Sequence, residues 1–221
     1  MKISAVLLAR VLAFFDTAEL NPRGEVSLPN LVPHIVQRFS FTGSPPNTID
    51  PENPKSILFK GGFFEGQAIE EFALYGDGAK LDLRSSTDDA RRLLLSSFAW
   101  LAKEFKLNFS EQMVSRWGYL SQIVFTSEHD LCAIHPALTQ LSAEVSELVD
   151  KRMGANLKYQ PSGLSLSFEH VLADFQVSNF TIDRRARTAY SKQKYFSQAP
   201  LETKDHVRLL EAFEKNLSKA L

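Results

Sequence analysis

Alternating apolar and polar residues form the strongest pattern in the sequence. Residues 71–75 and 80–84 alternate on either side of Gly76-Asp77-Gly78, and residues 164–169 alternate in the same way. Because successive side chains of a strand point to opposite faces, this pattern predicts a hairpin and a further strand, each with one face toward water. Less regular apolar runs predict strands near 57–64, 117–125, 180–182 and 190–196.

Apolar residues at helical spacing predict four helices. They are a short helix after Ser27 and longer helices over 87–105, 139–153 and 203–218. The 139–153 helix has an apolar stripe of Leu141, Val145, Leu148 and Val149. Such stripes are expected to be buried against a sheet.

The apolar segment 3–16 is consistent with two structures. A central strand covered on both faces explains its composition, and a helix with one apolar stripe fits almost equally well. Arg10 interrupts the run, and the segment is too short to span a membrane. We therefore expect a buried element here rather than a secretion signal.

An eight-residue pattern occurs twice, 116 residues apart. Residues 87–94 and 203–210 both read T-x-D-x-x-R-L-L, and each copy opens a predicted helix after an extended stretch. The repeat and the order of elements predict an α+β protein. Its single compact domain would contain tandem pseudo-duplicated β-α-β-β(-β)-α units, 1–109 and 110–221, with an antiparallel sheet and helices on one face. The alternative is that the repeat does not reflect a duplication. Many helices begin with a threonine cap and an acidic residue and continue with a leucine stripe, so the same pattern can occur twice independently.

By element order alone, this arrangement resembles the duplicated saddle of the TATA-binding-protein family. The resemblance lies in topology, since no sequence motif of that family is present. It implies a curved sheet with one face open to a partner.

Overall charge and cysteine content narrow the function further. The net charge of -1 over 221 residues gives no whole-protein attraction to nucleic acid or to an anionic membrane. A single cysteine, Cys132, excludes an intramolecular disulfide. We expect a soluble, cytoplasmic protein that has no membrane partner.

The most basic segment is the candidate nucleic-acid interface. On an extended strand over 184–194, alternate basic side chains would lie about 6–7 Å apart, close to the spacing of phosphates on a single strand. The residues of this hypothesis are Arg184, Arg185, Arg187, Tyr190, Lys192 and Lys194. A solvated edge strand is the favoured alternative, because charged runs are usually exposed surface.

The sequence predicts no metal, cofactor or catalytic group. His129, Cys132 and His135 have side chains that zinc binds, but their three-residue spacing drifts around a helix and Pro136 interrupts it. An enzyme of unfamiliar type centred on this cluster is the third hypothesis for function.

Three phenylalanines form a candidate partner interface. Phe59, Phe63 and Phe64 crowd a glycine-containing strand on which not all can face one core, although a strand buried on both sides is the alternative. The leading prediction is a non-enzymatic subunit or accessory component of a multi-protein assembly that acts by binding another macromolecule.

Overall fold

The computed structural model describes residues 1–24, 26, 28–43, 57–169 and 177–220. These residues form an α+β structure with eight strands in one antiparallel sheet and four α-helices. The strands are β1 (Lys2–Phe14), β2 (Ile57–Phe64), β3 (Gln67–Tyr75), β4 (Gly78–Leu83), β5 (Arg116–Thr126), β6 (Gly163–Leu166), β7 (Phe180–Arg184) and β8 (Lys194–Ala199). The helices are α1 (Leu28–Phe39), α2 (Thr87–Phe105), α3 (Pro136–Met153) and α4 (Thr203–Ala220). The strand order across the sheet is β2-β3-β4-β1-β5-β8-β7-β6.

The N-terminal apolar segment is a strand. In β1, Ala9, Val11 and Ala13 are buried, whereas the residues between them are only half-buried. The two faces of β1 therefore have different environments, which explains why the segment is apolar throughout yet accommodates Arg10.

The predicted hairpin is confirmed. Strand β3 pairs with β4 in antiparallel register from Ile69 opposite Leu83 to Tyr75 opposite Gly78. Gly78 adopts a φ of 152°, and a Cβ atom there would lie 2.1 Å from the carbonyl oxygen of Ala13. Only glycine fits this position without displacing the backbone of the neighbouring strand.

The chain divides into two compact units. The first unit comprises residues 6–121 and 200–204, and the second comprises residues 1–5, 122–199 and 205–221. The core of the first unit is rich in phenylalanine and contains Phe15, Phe39, Phe41, Phe59, Phe72 and Phe98 together with the leucines of α2. The core of the second unit is smaller and contains Ile123, Phe125, Leu131, Cys132, Ile182, Tyr195 and Leu210.

Helix α2 begins and ends as its sequence indicates. The hydroxyl of Ser86 accepts a hydrogen bond from the amide of Asp89 at 3.0 Å, which caps the N-terminus. The predicted stripe faces the core of the first unit, where Leu94, Phe98 and Leu101 are buried.

One predicted strand is wrong. The basic segment 184–194 was expected to be extended, but β7 ends at Arg184 and β8 begins only at Lys194. Between them Arg187 has a φ of 58° in a turn, and residues 190–192 form a short 3-10 helix. Because the backbone at Arg187 is left-handed, the basic side chains of this segment do not alternate along a strand at the spacing of phosphates.

Within the described residues, none of the helices is both long and apolar enough to cross a membrane.

Candidate partner-binding surface on helix α3

Helix α3 has strong local start and stop signals. The Nδ1 atom of His135 accepts a hydrogen bond from the amide of Ala137 at 3.1 Å, and Pro136 occupies the first helical position, where it is favoured. Gly154 ends the helix with a φ of 62°, and its amide donates to the carbonyl of Asp150 at 2.8 Å. These signals make α3 a well-defined helix before any packing is considered.

The side chains of α3 are poorly buried. None of its residues is buried, and only Ser142, Val145, Ser146 and Val149 are half-buried. Leu141 and Leu148 are 55% and 57% exposed. More than half of the large apolar side chains that are exposed in the described residues lie between residues 134 and 159. We call this patch the α3 surface; it comprises Ile134, Leu138, Leu141, Leu148, Met153 and Leu157.

The contrast with α2 shows that this exposure is not typical of the fold. Helix α2 is of similar length, yet Leu93, Leu94, Phe98 and Leu101 on its stripe are all buried. Soluble chains seldom leave a contiguous apolar patch exposed, and such patches mark interaction sites. The α3 surface is therefore the strongest candidate for a binding surface in the described structure.

An ion pair between a buried Arg184 and a 36% exposed Asp130 side chain holds the segment that leads into α3. Arg184 donates to both carboxylate oxygens of Asp130, at 2.7 and 2.6 Å, and its Nε donates to the carbonyl of Pro161 at 3.0 Å. The side chain of Arg184 is only 4% exposed. Asp130 also accepts from the amide of Cys132 at 3.0 Å. Through Arg184 the ion pair therefore joins the segments around residues 130, 161 and 184.

The electrostatics of this pair favour a permanently charged Asp130. Burial acts to raise the pKa of Asp130, but the hydrogen bonds from Arg184 and from the amide of Cys132 outweigh it and lower the pKa. The Tyr195 hydroxyl lies 3.3 Å from the same carboxylate, and burial raises the pKa of Tyr195 to about 12. The cluster is therefore a fixed anchor for the base of α3.

A cleft of about 470 Å³ separates α3 from the segment 158–161. It is lined by Asp130, Ser142, Ser146, Lys158 and Tyr159, among others. The hydroxyl of Ser146 accepts from the amide of Tyr159 at 2.8 Å, which fastens this segment to the helix. The segment thereby covers part of the inner face of α3 and leaves its leucines exposed.

A cavity of about 800 Å³ in the first unit is a weaker candidate. Its floor is apolar, and the polar groups at its rim are engaged within the fold. Asp16 accepts from the amide of Ala18, Thr17 donates to the carbonyl of Gly76, and Asn21 binds the backbone of Val26. These contacts engage three of the polar side chains that line the cavity and that could otherwise orient a ligand.

The candidate metal residues do not form a site. Cys132 is buried, His135 caps α3, and the amide of His129 donates to Ser127. In the part of the chain that the structure describes, no group of three or more histidine, cysteine or acidic side chains is placed to hold a metal ion. Burial raises the pKa of Cys132 to about 11, which keeps the thiol protonated at neutral pH and a poor nucleophile.

The candidate nucleic-acid residues are also dispersed. Arg184 is buried against Asp130, and its guanidinium lies 4.4 Å from the centre of the Tyr190 ring. Arg187 and Lys192 are exposed on the turn and the 3-10 helix, whereas Arg185 and Lys194 are half-buried. The structure therefore does not align these cations along one strand.

On the sheet face of the first unit that carries Arg10, the cations Arg10, Lys60 and Lys80 form ion pairs. Arg10 lies opposite Asp82 across β1 and β4 and donates to both of its oxygens, at 2.8 and 2.7 Å. Glu71 forms ion pairs with both Lys80 and Lys60. This ladder of alternating charge leaves little net positive potential for a polyanion.

The candidate aromatic interface is mostly core. Phe59 is fully buried, and Phe64 packs edge-to-face on Phe39 with a ring separation of 5.0 Å. Only Phe63 of the three is exposed. Phe59 and Phe64 join the same ring cluster through Phe41 and Phe39, whereas Lys60 and Phe63 are exposed. The alternative of a strand buried on both sides is therefore wrong, because β2 is buried on one side.

Sequence reasoning found α3 but not its exposure. Leu141 and Leu148 have the same spacing as the leucines of a buried stripe, and nothing in the local sequence distinguishes the two cases. Searches against protein-family models, curated proteins and solved structures find no significant match to this chain.

Proposed function

We propose that this protein is a non-enzymatic subunit or accessory component of a multi-protein assembly, and that it binds a protein partner through the α3 surface. One observation supports this most: α3 is capped at both ends and anchored at its base, yet no residue of it is buried. A helix with an exposed leucine stripe is completed by an apolar partner surface, as in helix-in-groove recognition.

We further propose that the chain is a duplication with the TATA-binding-protein-like element order. In support, strand, helix, three strands and helix follow one another twice along the chain, when only α-helices are counted. The two copies of the repeated motif meet at their first residues. The Thr87 amide donates to the Thr203 hydroxyl at 3.1 Å, and the Thr203 amide donates to the Thr87 hydroxyl at 2.8 Å. Such a reciprocal exchange is what a two-fold relation produces.

Helices on one face of the sheet would leave the other face free. In the first unit, residues of α1 and α2 share a core with Val11 and Ala13 of β1, whereas Arg10 points into the ion-pair ladder on the opposite face. This separation of apolar and charged faces supports the proposed layering for that unit.

Site-specific photo-crosslinking tests the binding proposal. A photoreactive amino acid at position 141 or 148 is expected to crosslink a discrete protein species in extract of the source cells or with purified chain. The same probe at Glu147, which is exposed on the polar side of α3, is the matched control. Equal and diffuse crosslinking at all three positions would contradict the proposal.

Nucleic-acid binding is the weaker alternative. The burial of Arg184 and the pairing of Arg10, Lys60 and Lys80 reduce the available positive charge. Exposed Arg187 and Lys192 still offer a small basic patch. Binding that is strong at low salt and lost when Arg185 and Arg187 become alanine would favour this alternative over protein binding.

A further inference from the structure

We propose that the partner of the α3 surface is a second copy of this chain, with the two α3 helices paired antiparallel. This inference rests on the proposed function, since it names the occupant of the same surface.

The exposed stripe of α3 has heptad spacing. Leu141 and Leu148 lie seven residues apart and so project from the same side of the helix, with Leu138 and Val145 completing an a/d pattern. On an α-helix, such a pattern forms a seam that another helix can cover over several turns. Val145 is half-buried, so the exposed part of the seam is centred on the two leucines.

The charges next to the seam are complementary only in one orientation. Glu144 and Lys151 lie on the same flank, also seven residues apart, and both are exposed. In an antiparallel pair centred near Glu147, Glu144 of each copy lies beside Lys151 of the other, which gives two interhelical ion pairs. In a parallel, in-register pair, this flank faces Ser142 and Val149, so neither charge meets an opposite charge.

Two further properties of the helix agree with this orientation. Antiparallel helices place the positive N-terminal end of one dipole beside the negative C-terminal end of the other. Within the described residues, neither Glu144 nor Lys151 takes part in an ion pair, and the amide of Gln140 is the hydrogen-bond donor to Glu144 at 2.9 Å. Both charges therefore remain free to pair with another chain.

The association should be weak but measurable. The chain has a net charge of -1, so two copies repel each other little. A seam of two to three turns is small compared with a standard interface, which places the expected dissociation constant at about 10 to 100 µM. The dimer should thus be absent from dilute samples and populated in concentrated ones.

Sedimentation-velocity ultracentrifugation of the full chain tests the inference. Between about 1 and about 200 µM, the weight-average mass is expected to rise from monomer toward dimer. Leu148→Glu should keep the chain monomeric at every concentration. Glu147→Lys is the matched control, because it changes the charge of α3 away from the seam, and it should dimerise like the wild type.

Charge exchange tests the orientation. Glu144→Lys and Lys151→Glu should each weaken self-association at least tenfold, because each places two like-charged pairs across the antiparallel seam. An equimolar mixture of the two variants should form a heterodimer, and the double variant should dimerise again. Failure of both restorations would overturn the antiparallel arrangement.

The outcome also separates this inference from the proposed function. A chain that stays monomeric at about 200 µM overturns self-pairing. If position 141 nevertheless crosslinks a different protein, binding through the α3 surface stands while its occupant is not a second copy. If position 141 crosslinks nothing and the chain is monomeric, both proposals fail.

Discussion

His206 is a buried histidine with one hydrogen-bond partner. Its Nε2 lies 2.8 Å from the Ser197 hydroxyl, which itself donates to the carbonyl of Thr181 at 2.6 Å. Ser197 therefore accepts from Nε2–H, and His206 is neutral. Its Nδ1 has no hydrogen-bond partner in the described structure. Burial lowers the pKa of His206 from about 6.5 to about 4.

This burial makes the free energy of unfolding depend on pH. Between pH 6.5 and pH 4 the unfolded chain binds a proton at His206 that the folded chain does not. The contribution of His206 to the unfolding free energy is fully present above about pH 6.5 and is lost as the pH falls toward about 4, by up to about 1.4 kcal/mol for each pH unit. Urea unfolding at pH 7 and pH 5 measures the difference in unfolding free energy.

The matched variants are His206→Gln and His129→Gln. Glutamine keeps a donor for Ser197 but does not titrate, so His206→Gln should show a smaller loss of stability between pH 7 and pH 5. His129→Gln removes an imidazole that is not in contact with Ser197, and it is the control for the substitution itself. An unchanged pH dependence in His206→Gln would show that other groups cause it.

Breaking the ion pair of Asp130 and Arg184 should lower the free energy of unfolding more than breaking an exposed ion pair does. Asp130→Asn retains the side-chain shape but leaves the guanidinium of Arg184, with 4% exposure, without its counter-charge. Because the Asp130 carboxylate is about one-third exposed and partly screened by water, we expect a loss of about 1 to 3 kcal/mol in unfolding free energy. Glu111→Gln, which breaks the exposed pair with Arg91, should cost less than about 0.5 kcal/mol. Similar small losses for both variants would contradict the anchoring role of Asp130.

At the scale of single elements, α2 and α3 should respond differently to substitution. Leu94→Ala or Leu101→Ala in α2 removes a buried side chain and should cost about 2 to 5 kcal/mol. Leu141→Ala and Leu148→Ala in α3 should each cost less than about 1 kcal/mol, because these leucines are largely exposed. Unfolding should be measured near 1 µM, about tenfold or more below the dissociation constant expected for self-association. A loss of several kcal/mol at Leu148 in dilute monomer would show that the surface is part of the core.

The same two helices show what sequence can and cannot predict. The bounds predicted for α2 match the structure at both ends, since its caps and stripe are local properties of the chain. The sequence does not predict the turn between β7 and β8, because neither of its left-handed residues, Arg187 and Gln193, is a glycine. The exposure of Leu148 and the burial of Arg184 depend on residues distant in sequence, so no local pattern predicts them.

For the whole molecule, the sharpest prediction concerns Thr87 and Thr203. Each threonine hydroxyl accepts the amide hydrogen of the other residue, and both residues are buried. Replacing either threonine with valine preserves its shape but leaves one buried amide without an acceptor, at a cost of about 1 to 3 kcal/mol. If the two helix starts are related by a two-fold axis, Thr87→Val and Thr203→Val should cost similar amounts.

Urea unfolding of both variants beside Thr17→Val provides the comparison. The Thr17 hydroxyl donates to the carbonyl of Gly76 at an exposed site, where water can replace it, so its loss should cost less than about 0.5 kcal/mol. A large loss at only one of the two buried positions would mean that the exchange is one-sided. In that case the repeated motif would be two similar helix starts, explained by local capping and dipole effects, and the duplication would lose its best structural support.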